Sequence, residues 1–199
     1  MRPPGYGLRP RRWQLSALAA LRSARAAGVS VQAEGENLKL EASAPPPAEV
    51  LEALRQFKRE SLELLRVGAD GWSGLDWHDH FEERAAIAGL GGALPQDQAE
   101  AHAWSGCISN WLRLNPVRSR PGECARCGDS HGLLQPYLED LHASNPGHVW
   151  LHQSCSQPWY EERRAAATAA LGHYGLGALE RPLLRGGTAY TQTPKEQCL

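Results

Sequence analysis

The chain has 199 residues, and its 21 lysines and arginines nearly balance its 22 aspartates and glutamates, for a formal net charge of −1. This balance excludes a global electrostatic attraction to nucleic acid or to an anionic membrane, so any such binding must be local. Hydrophobic residues form 42% of the chain and include seven tryptophans, which is enough to build a folded core.

The cysteine usage and the N-terminal sequence together indicate a cytoplasmic protein. Residues 1–12 lack the apolar segment of a secretory signal, and we expect them to be flexible. No stretch approaches the roughly 20 apolar residues of a membrane span, so no membrane partner is expected. In a reducing compartment, paired cysteine motifs favour metal binding over disulfides. Cys107 lies in an apolar helical pattern and is predicted to be buried, whereas Cys198 lies in a loose tail.

Residues 13–67 are predicted to form a small unit with the order helix, hairpin, helix. Apolar residues at helical spacing before Gly28 predict the first helix. The next segment alternates apolar and polar residues on both sides of a polar turn at 34–37, which predicts two antiparallel strands. After three prolines, a wide apolar stripe predicts one amphipathic helix ending near Leu65. The alternating strand residues are Val29, Val31, Ala33, Leu38, Leu40 and Ala42.

This unit resembles the N-terminal docking domains of the tubulysin-synthetase (TubC) type, which stand at the front of megasynthase subunits. The resemblance rests on the spaced leucines of the first helix, on Ala-Ala-Gly-Val-Ser-Val at 26–31, on Gly-Glu-Asn-Leu-Lys-Leu at 35–40, and on the helix ending in Leu-Leu-Arg. It implies a small, often dimeric module whose exposed hairpin strand takes up a partner segment by β-augmentation.

The resemblance implies a protein partner or a second copy of the chain, bound through the hairpin. The partner-binding residues that it implies are Val29, Val31, Leu38, Lys39 and Leu40. The alternative is a small folded domain whose edge strand binds nothing.

The middle of the chain is predicted to contain a linker and two helices. Residues 68–75 are polar and contain glycine, which is typical of a linker. Asp76 is expected to cap the first helix, and a glycine-rich turn at 89–92 to end it. Pro95 suits the first turn of the second helix, which Asn115 and the following proline stop. The two helices are expected to form an antiparallel pair.

A cluster at the start of the first of these helices suggests a metal or acid–base site at first sight. It consists of Asp76, His78, Asp79 and His80. Adjacent positions of a helix are separated by 100°, so these side chains fan out and do not converge. A solvated first turn with acidic charge is the favoured interpretation.

The best-defined local chemistry of the sequence is a pair of short motifs in its second half. Cys124 and Cys127 form a C-x2-C motif, and His152 and Cys155 form an H-x2-C motif. Zinc binds three thiolates and one imidazole tetrahedrally, so the four residues predict a structural Zn²⁺ site. Four protein ligands leave no open position for water, which argues against zinc catalysis.

Three other histidines are alternatives to His152 as the fourth ligand. They are His131, His142 and His148. His152 is favoured because it lies three residues before Cys155, beside a predicted helix start.

The elements around these motifs predict the layout of a treble-clef zinc finger. A cysteine knuckle followed by Gly128 precedes strand-like segments at 133–138 and 148–152. Ser156 is then expected to cap, and Pro158 to open, a helix that runs to about residue 174. The domain is expected to cover 76–175, and 176–199 to form a flexible tail.

The predicted fold class is α+β and mainly α. We expect a small αββα docking-like module, followed by a helical hairpin and a treble-clef-like zinc unit.

A treble clef also occurs in HNH nucleases, which are therefore an alternative. Asp140 and His142 imitate their first catalytic element, and Asn145 follows closely. The helix after the zinc motif offers no histidine before His173, so the second metal ligand of such an enzyme is missing. The enzyme hypothesis is less favoured than a non-catalytic one.

A further alternative is binding of nucleic acid, DNA in the first instance, by arginines near the knuckle. They are Arg113, Arg118, Arg120, Arg126, Arg163 and Arg164. Tryptophans close to them in the sequence are candidate stacking platforms. Acidic residues in the same region offset the charge, so this hypothesis ranks second.

The leading hypothesis is a non-catalytic, zinc-binding adaptor or regulatory protein that acts through protein–protein interaction. The combination of docking-like unit, Asn-Pro-Val-Arg helix end at 115–118 and zinc motif is similar to uncharacterised small proteins of bacterial plasmids, prophages and integrated elements. This resemblance implies accessory work for a mobile element or a defence-related system.

Overall fold

A computed structural model describes residues 16–120, 122–138 and 148–176. Within these ranges the chain forms six α-helices and two small antiparallel sheets. The predicted fold class, α+β and mainly α, is confirmed. The predictions for the N-terminal residues and the tail, and those for Asp140, His142, Asn145 and Cys198, lie outside the described residues.

The N-terminal unit has the predicted order of elements, with one extra helix. Ser16 caps the first helix by accepting a hydrogen bond from the backbone N–H of Ala19. The hairpin closes through a two-residue turn at 35–36. The elements are α1 (Ala17–Ala26), β1 (Val29–Glu34), β2 (Asn37–Ala42), α2 (Ala48–Gln56) and α3 (Lys58–Leu65).

The register of the hairpin puts its apolar residues on one face. Val31 lies opposite Leu40, and Ala33 lies opposite Leu38. Val29 is buried, and the side chains of Val31, Leu38 and Leu40 are half-buried against a core supplied by α1 and α2. The buried members of this core are Ala20, Leu21, Ala24, Val29, Val50 and Leu54.

The prediction of one long second helix is wrong, because the chain bends at Phe57. This residue has φ −108° and ψ 27°, which separates α2 from α3. Phe57 packs against the core of the N-terminal unit, together with Leu64 and Leu65 of α3. The bend thus lets two short helices bring their apolar faces to the same hairpin.

The segment predicted to be a linker forms a closed turn. Val67 and Ser73 pair as an isolated antiparallel bridge, and the N–H of Gly68 donates to the carbonyl of Trp72 at 2.8 Å. The Asp70 carboxylate accepts a bond from the Trp72 N–H at 3.0 Å. These bonds satisfy the backbone locally and lead directly into the next helix.

The N-cap of that helix, α4 (Gly74–Ala86), is Ser73 and not Asp76 as predicted. The Ser73 hydroxyl accepts from the Asp76 N–H at 3.2 Å, while the Asp76 carboxylate accepts from the Ser73 N–H at 2.8 Å. Asp76 is therefore the second half of a capping box, three residues inside the helix.

The two middle helices pack together over a buried aromatic core. The glycine-rich region predicted to end α4 continues as a π-helical turn at Ile87–Gly91, and α5 (Gln96–Leu114) follows Pro95 as its N-cap. Trp77 is fully buried between these helices and the C-terminal helix. The buried core residues are Trp77, Cys107, Ile108, Ala167, Leu171 and Leu176.

The C-terminal part is a hairpin followed by a long helix. Strands β3 (Leu134–Leu138) and β4 (His148–His152) pair antiparallel, and α6 (Gln153–His173) follows β4 without a loop. The prediction that Ser156 caps and Pro158 opens this helix is wrong, because the N-cap is His152. Pro158 is the sixth helical residue, so one intrahelical hydrogen bond is missing there. The early start keeps Cys155 within one helical turn of His152.

Candidate metal centre

The four residues predicted to bind zinc converge in space. Their ligand atoms, three Sγ atoms and one imidazole nitrogen, all lie within 4.8 Å of one another. Cys124 and Cys127 come from the turn before β3, His152 ends β4, and Cys155 lies in the first turn of α6. The cluster therefore joins three separate segments of the C-terminal part.

The spacing of the ligand atoms fits one small ion. His152 Nδ1 lies 3.4 Å from Cys127 Sγ and 3.9 Å from Cys155 Sγ. A tetrahedral zinc ion with Zn–N near 2.0 Å and Zn–S near 2.3 Å places a nitrogen and a sulfur ligand about 3.5 Å apart. The observed separations bracket this value, so the donor set and its geometry are compatible with a metal ion such as zinc.

The imidazole of His152 is oriented by a backbone carbonyl. Its Nε2 lies 2.8 Å from the carbonyl oxygen of His131, which can only accept a hydrogen bond. Nε2 therefore carries the proton, and Nδ1 presents its lone pair toward the thiols. A second-shell acceptor of this kind fixes the ligand tautomer at metal sites. Nδ1 is thus the ring nitrogen available to a metal ion.

The cysteine turn is held by backbone hydrogen bonds. The N–H of Gly128 donates to the Cys124 carbonyl at 2.8 Å, and the N–H of Ala125 donates to the Trp150 carbonyl of β4 at 2.9 Å. Gly128 has φ +75°, a left-handed conformation that residues with a side chain rarely adopt. The turn is therefore tied to the strand that ends in His152.

Two thiols of this cluster, those of Cys124 and Cys155, have shifted pKa values. Burial acts to raise the pKa of Cys124, but the backbone N–H groups of Cys127, His152 and Arg126 outweigh it and lower the pKa to about 6. Burial and the neighbouring sulfurs of Cys124 and Cys127 raise the pKa of Cys155. Cys124 therefore ionises readily, whereas ionisation of Cys155 beside it is disfavoured. A bound dication is the usual means of stabilising several thiolates together.

The cysteines of the cluster differ in accessibility. Cys124 is 1% exposed and Cys155 is 8% exposed, but Cys127 is an exposed residue. A shallow groove of about 600 Å³ lies beside the site, and Leu133, 78% exposed, is on its wall. Sequence periodicity gave no signal for this groove. Its lining residues are His131, Leu133, His152, Gln153 and Ser154.

The alternative histidines are placed elsewhere. The side chain of His131 is 93% exposed, and its Nδ1 lies 2.9 Å from Asp129. His148 lies at the opposite end of β4 from His152. His142 lies outside the described residues. Within the described residues, the side chain of His152 therefore lies with the cysteines, whereas those of His131 and His148 do not.

The six arginines do not form one basic surface. The guanidinium of Arg163 lies 5.3 Å from the ring centre of Trp111 and 5.9 Å from that of Trp159, and donates to the Asn115 carbonyl. Its position ties α6 to the end of α5. Arg126 forms an ion pair with Glu162 at 3.0 Å. Both arginines thus have intramolecular partners.

The remaining four arginines are exposed. Arg113 donates to Asn110 within α5, and Arg164 lies 5.9 Å from the ring centre of Tyr160. Arg118 and Arg120 flank Ser119, whose hydroxyl accepts from the Trp150 N–H at 2.7 Å. Ser119 thereby holds these two arginines beside β4.

The polar cluster of α4 is divided among different contacts, as its helical spacing predicts. Asp76 belongs to the capping box, and Asp79 forms an ion pair with Arg25 at 2.8 Å. The Nε2 of His78 lies 2.8 Å from the Tyr174 carbonyl, and the ring of His80 packs edge-on against Trp72. The start of α4 is less exposed to solvent than predicted, since both histidines are half-buried.

The hairpin residues differ in what they can offer a partner. The Val29 side chain is 3% exposed and belongs to the core, so it cannot contact a partner. Lys39 is exposed and pairs with Glu41 at 2.8 Å. Val31, Leu38 and Leu40 have part of their side chains at the surface.

No protein-family model matches this chain, and the comparisons with curated proteins and with solved structures found no match. Among the helices of the described residues, none combines the length and the apolar character needed to cross a bilayer.

Proposed function

We propose that this protein is a non-catalytic adaptor. Its N-terminal hairpin binds a protein strand or a second copy of the chain, while a structural zinc ion holds its C-terminal part together. The observation that supports the zinc ion is the convergence of three thiols and one oriented imidazole within 4.8 Å. The resemblance of the N-terminal unit to docking domains supports the binding role.

A structural role for zinc follows from the number of ligands. Four protein ligands complete a tetrahedron, so water has no position from which the ion could activate it. Two of the thiols are buried among Val149 and Leu151, which are 0% and 1% exposed. This core is small, and the ion adds cross-links between the cysteine turn, β4 and α6.

The hairpin supports strand addition through its unpaired edges. Within the described residues, β1 and β2 pair only with each other, so each strand has one edge without a strand partner. Such an edge offers main-chain donors and acceptors to an added strand. Half-buried Val31, Leu38 and Leu40 supply apolar contact near that edge.

The binding role is tested by comparing Leu40→Pro with Leu40→Ala. Proline removes a backbone N–H and is incompatible with a regular paired strand, whereas alanine keeps the N–H. We expect the proline variant to lose self-association and every stoichiometric partner, measured by sedimentation and by affinity purification with mass spectrometry. The alanine variant should keep the same partners with weaker binding, because it retains the N–H and loses only the Leu40 side-chain contact. Association that survives in the proline variant would refute the hairpin proposal.

A second candidate function is binding of nucleic acid beside β4. It is favoured by one observation, the hydrogen bonds that join Ser119 to both the N–H and the carbonyl of Trp150. They hold exposed Arg118 and Arg120 next to a half-buried tryptophan. Phosphate contacts by arginine and stacking on an aromatic ring are the usual elements of single-strand binding.

This second candidate predicts binding that weakens with salt. Fluorescence anisotropy with single-stranded and duplex DNA should show an affinity that falls as the salt concentration rises. The double variant R118A/R120A should lower the salt slope by roughly 1.4–1.8, since each phosphate contact contributes about 0.7–0.9. Arg55→Ala, an exposed residue of α2, is the matched control. Undetectable or salt-independent binding would eliminate the candidate.

A place near a bacterial mobile element or a defence-related system is part of the same proposal. It is supported by the resemblance of the domain combination alone. Identification of the stoichiometric partner in the affinity experiment tests it directly.

A further inference from the structure

We propose that Cys127 is a site of oxidation by hydroperoxides, and that its oxidation to a disulfide with Cys124 releases the metal and opens the C-terminal part. The proposal rests on the proposed zinc site and goes beyond it. It follows from the unequal accessibility of the three thiols and from their positions on different elements.

Cys127 is the thiol that an oxidant reaches first. It is exposed at the surface, whereas Cys124 and Cys155 are 1% and 8% exposed. A hydroperoxide is small and polar, and thiolate character together with exposure decides which cysteine it oxidises. Metal binding keeps the sulfur as a thiolate, so the exposed ligand is also a nucleophile.

Cys124 is the thiol placed to react with the oxidised Cys127. Both sulfurs belong to one short turn and lie within 4.8 Å of each other. Cys155 Sγ lies within the same 4.8 Å, but it belongs to α6, a helix of 21 residues whose first turn packs against Val149 and Leu151. A disulfide to Cys155 would require this helix to shift, whereas a disulfide to Cys124 requires only adjustment of the turn.

The reaction balances with a hydroperoxide as the oxidant. The Cys127 thiolate attacks the terminal oxygen, an S–O bond forms, and the O–O bond breaks to release alkoxide or hydroxide. The Cys124 thiolate then attacks the Cys127 sulfur, so an S–S bond forms and hydroxide leaves. Two electrons pass from the two thiolates to the hydroperoxide, and two protons from water neutralise the leaving groups.

Oxidation removes two of the four ligands at once. His152 and Cys155 alone cannot satisfy a tetrahedral ion, so the cross-link between the cysteine turn, β4 and α6 is lost. The core that remains on this side is small, with Val149 and Leu151 as its buried aliphatic residues. The oxidised C-terminal part is therefore expected to unfold locally.

The chain contains an internal control for non-specific oxidation. Cys107 is fully buried in the middle core, and burial raises the pKa of its thiol to about 11. It should stay reduced under conditions that oxidise Cys127. Cys198 is replaced by serine in the tested protein, so that no other thiol competes.

The test is treatment of the zinc-loaded Cys198→Ser protein with hydrogen peroxide. Free zinc is measured with a chromogenic chelator, samples are quenched with an alkylating reagent in denaturant so that every remaining thiol reacts, and non-reduced peptides are mapped by mass spectrometry. We expect a Cys124–Cys127 disulfide to appear at the rate of zinc release, with one zinc per disulfide and with Cys107 and Cys155 alkylated. A thiol reductant with added zinc should restore the starting state.

A second variant isolates the exposed thiol. Cys127→His offers a nitrogen ligand in place of the oxidisable sulfur. Under hydrogen peroxide this variant should release zinc at least about tenfold more slowly than the parent protein. If this variant binds no zinc, the peptide map of the parent protein tests the inference by itself, through the presence or absence of the Cys124–Cys127 disulfide.

Several outcomes would overturn the inference. They are a disulfide that contains Cys155, oxidation of Cys127 to a sulfinic acid without a disulfide, and disulfide formation with zinc retained. Equally fast zinc release from Cys127→His would do the same. A protein purified without zinc under reducing conditions would overturn the proposed zinc site as well, so the two failures are distinguishable.

Discussion

At the scale of single residues, the candidate metal centre depends on one imidazole orientation. The carbonyl of His131 fixes the proton of His152 on Nε2 and leaves Nδ1 facing the sulfurs. The side chain of His131 takes no part, because it points to solvent and contacts Asp129. Two histidines at the same candidate site therefore differ: His152 offers its side chain to an ion, and His131 contributes only its backbone carbonyl.

This difference predicts opposite results for two alanine substitutions. His152→Ala removes a ligand and should lower zinc affinity by more than about 100-fold, because loss of a second-shell contact alone costs 10–100-fold. His131→Ala keeps the backbone carbonyl and should retain one zinc per chain. Competition with a zinc chelator measures both. Equal affinities in the two variants would contradict the ligand assignment.

The four candidate ligands could be picked out from the sequence, but the orientation of His152 could not. Ligand identity and spacing are local properties, so Cys124, Cys127, His152 and Cys155 are recognisable without a structure. The acceptor for His152 is a carbonyl 21 residues away, which no local pattern reveals. The same holds for Arg163, predicted as a nucleic-acid contact, because its partners come together only when α5 and α6 pack.

At the scale of elements, the starts of the helices are set by local hydrogen bonds. α4 begins at the Ser73–Asp76 capping box, and α6 begins directly at the end of β4. Both starts are earlier than predicted from Asp76 and Pro158. The error at α4 arose because serine and aspartate can both cap a helix, and only the bonds decide which one does.

The capping box predicts a measurable loss of stability. Ser73→Ala removes the acceptor for the Asp76 N–H and the donor to the Asp76 carboxylate, and should lower the free energy of unfolding by about 1 kcal/mol. Ser23→Ala replaces an exposed serine inside α1 and should change it by less than about 0.5 kcal/mol. Urea denaturation at constant pH compares them. Equal effects would show that the box does not contribute.

At the scale of the whole molecule, α4 joins the N-terminal unit to the rest. Arg22 and Arg25 of α1 form ion pairs with Glu82 and Asp79 of α4 at 2.6 and 2.8 Å. An added Cβ at Gly74 would lie 2.6 Å from the Tyr174 ring and 3.0 Å from Leu64, so glycine allows α3, α4 and the end of α6 to meet. Long-range packing of this kind was not predictable from helical periodicity.

The same junction predicts an acid-sensitive fold. Burial lowers the pKa of His78 below its ordinary value, with Arg22 acting in the same direction against the Tyr174 hydrogen bond and the nearby Glu82 and Asp79. The unfolded chain therefore binds the proton more readily, and stability falls as the pH drops from about 6.5 through the lower folded pKa.

The prediction is tested by the slope of stability against pH. His78→Gln removes the titrating group, so its free energy of unfolding should fall less steeply than that of the native protein over this range. Protonation of the metal ligands occurs in both proteins and cancels in the comparison. His102→Gln, an exposed histidine of α5, should keep the native slope. Identical slopes in all three proteins would exclude a contribution from His78.

The proposed adaptor combines a closed zinc site in its C-terminal part with protein binding by the hairpin. X-ray absorption spectroscopy at the zinc edge of the purified native protein tests this claim most directly. We predict one zinc ion per chain with three sulfur neighbours near 2.3 Å and one nitrogen neighbour near 2.0 Å. A reduced protein without zinc, or zinc with an oxygen neighbour in place of one of these ligands, would contradict it.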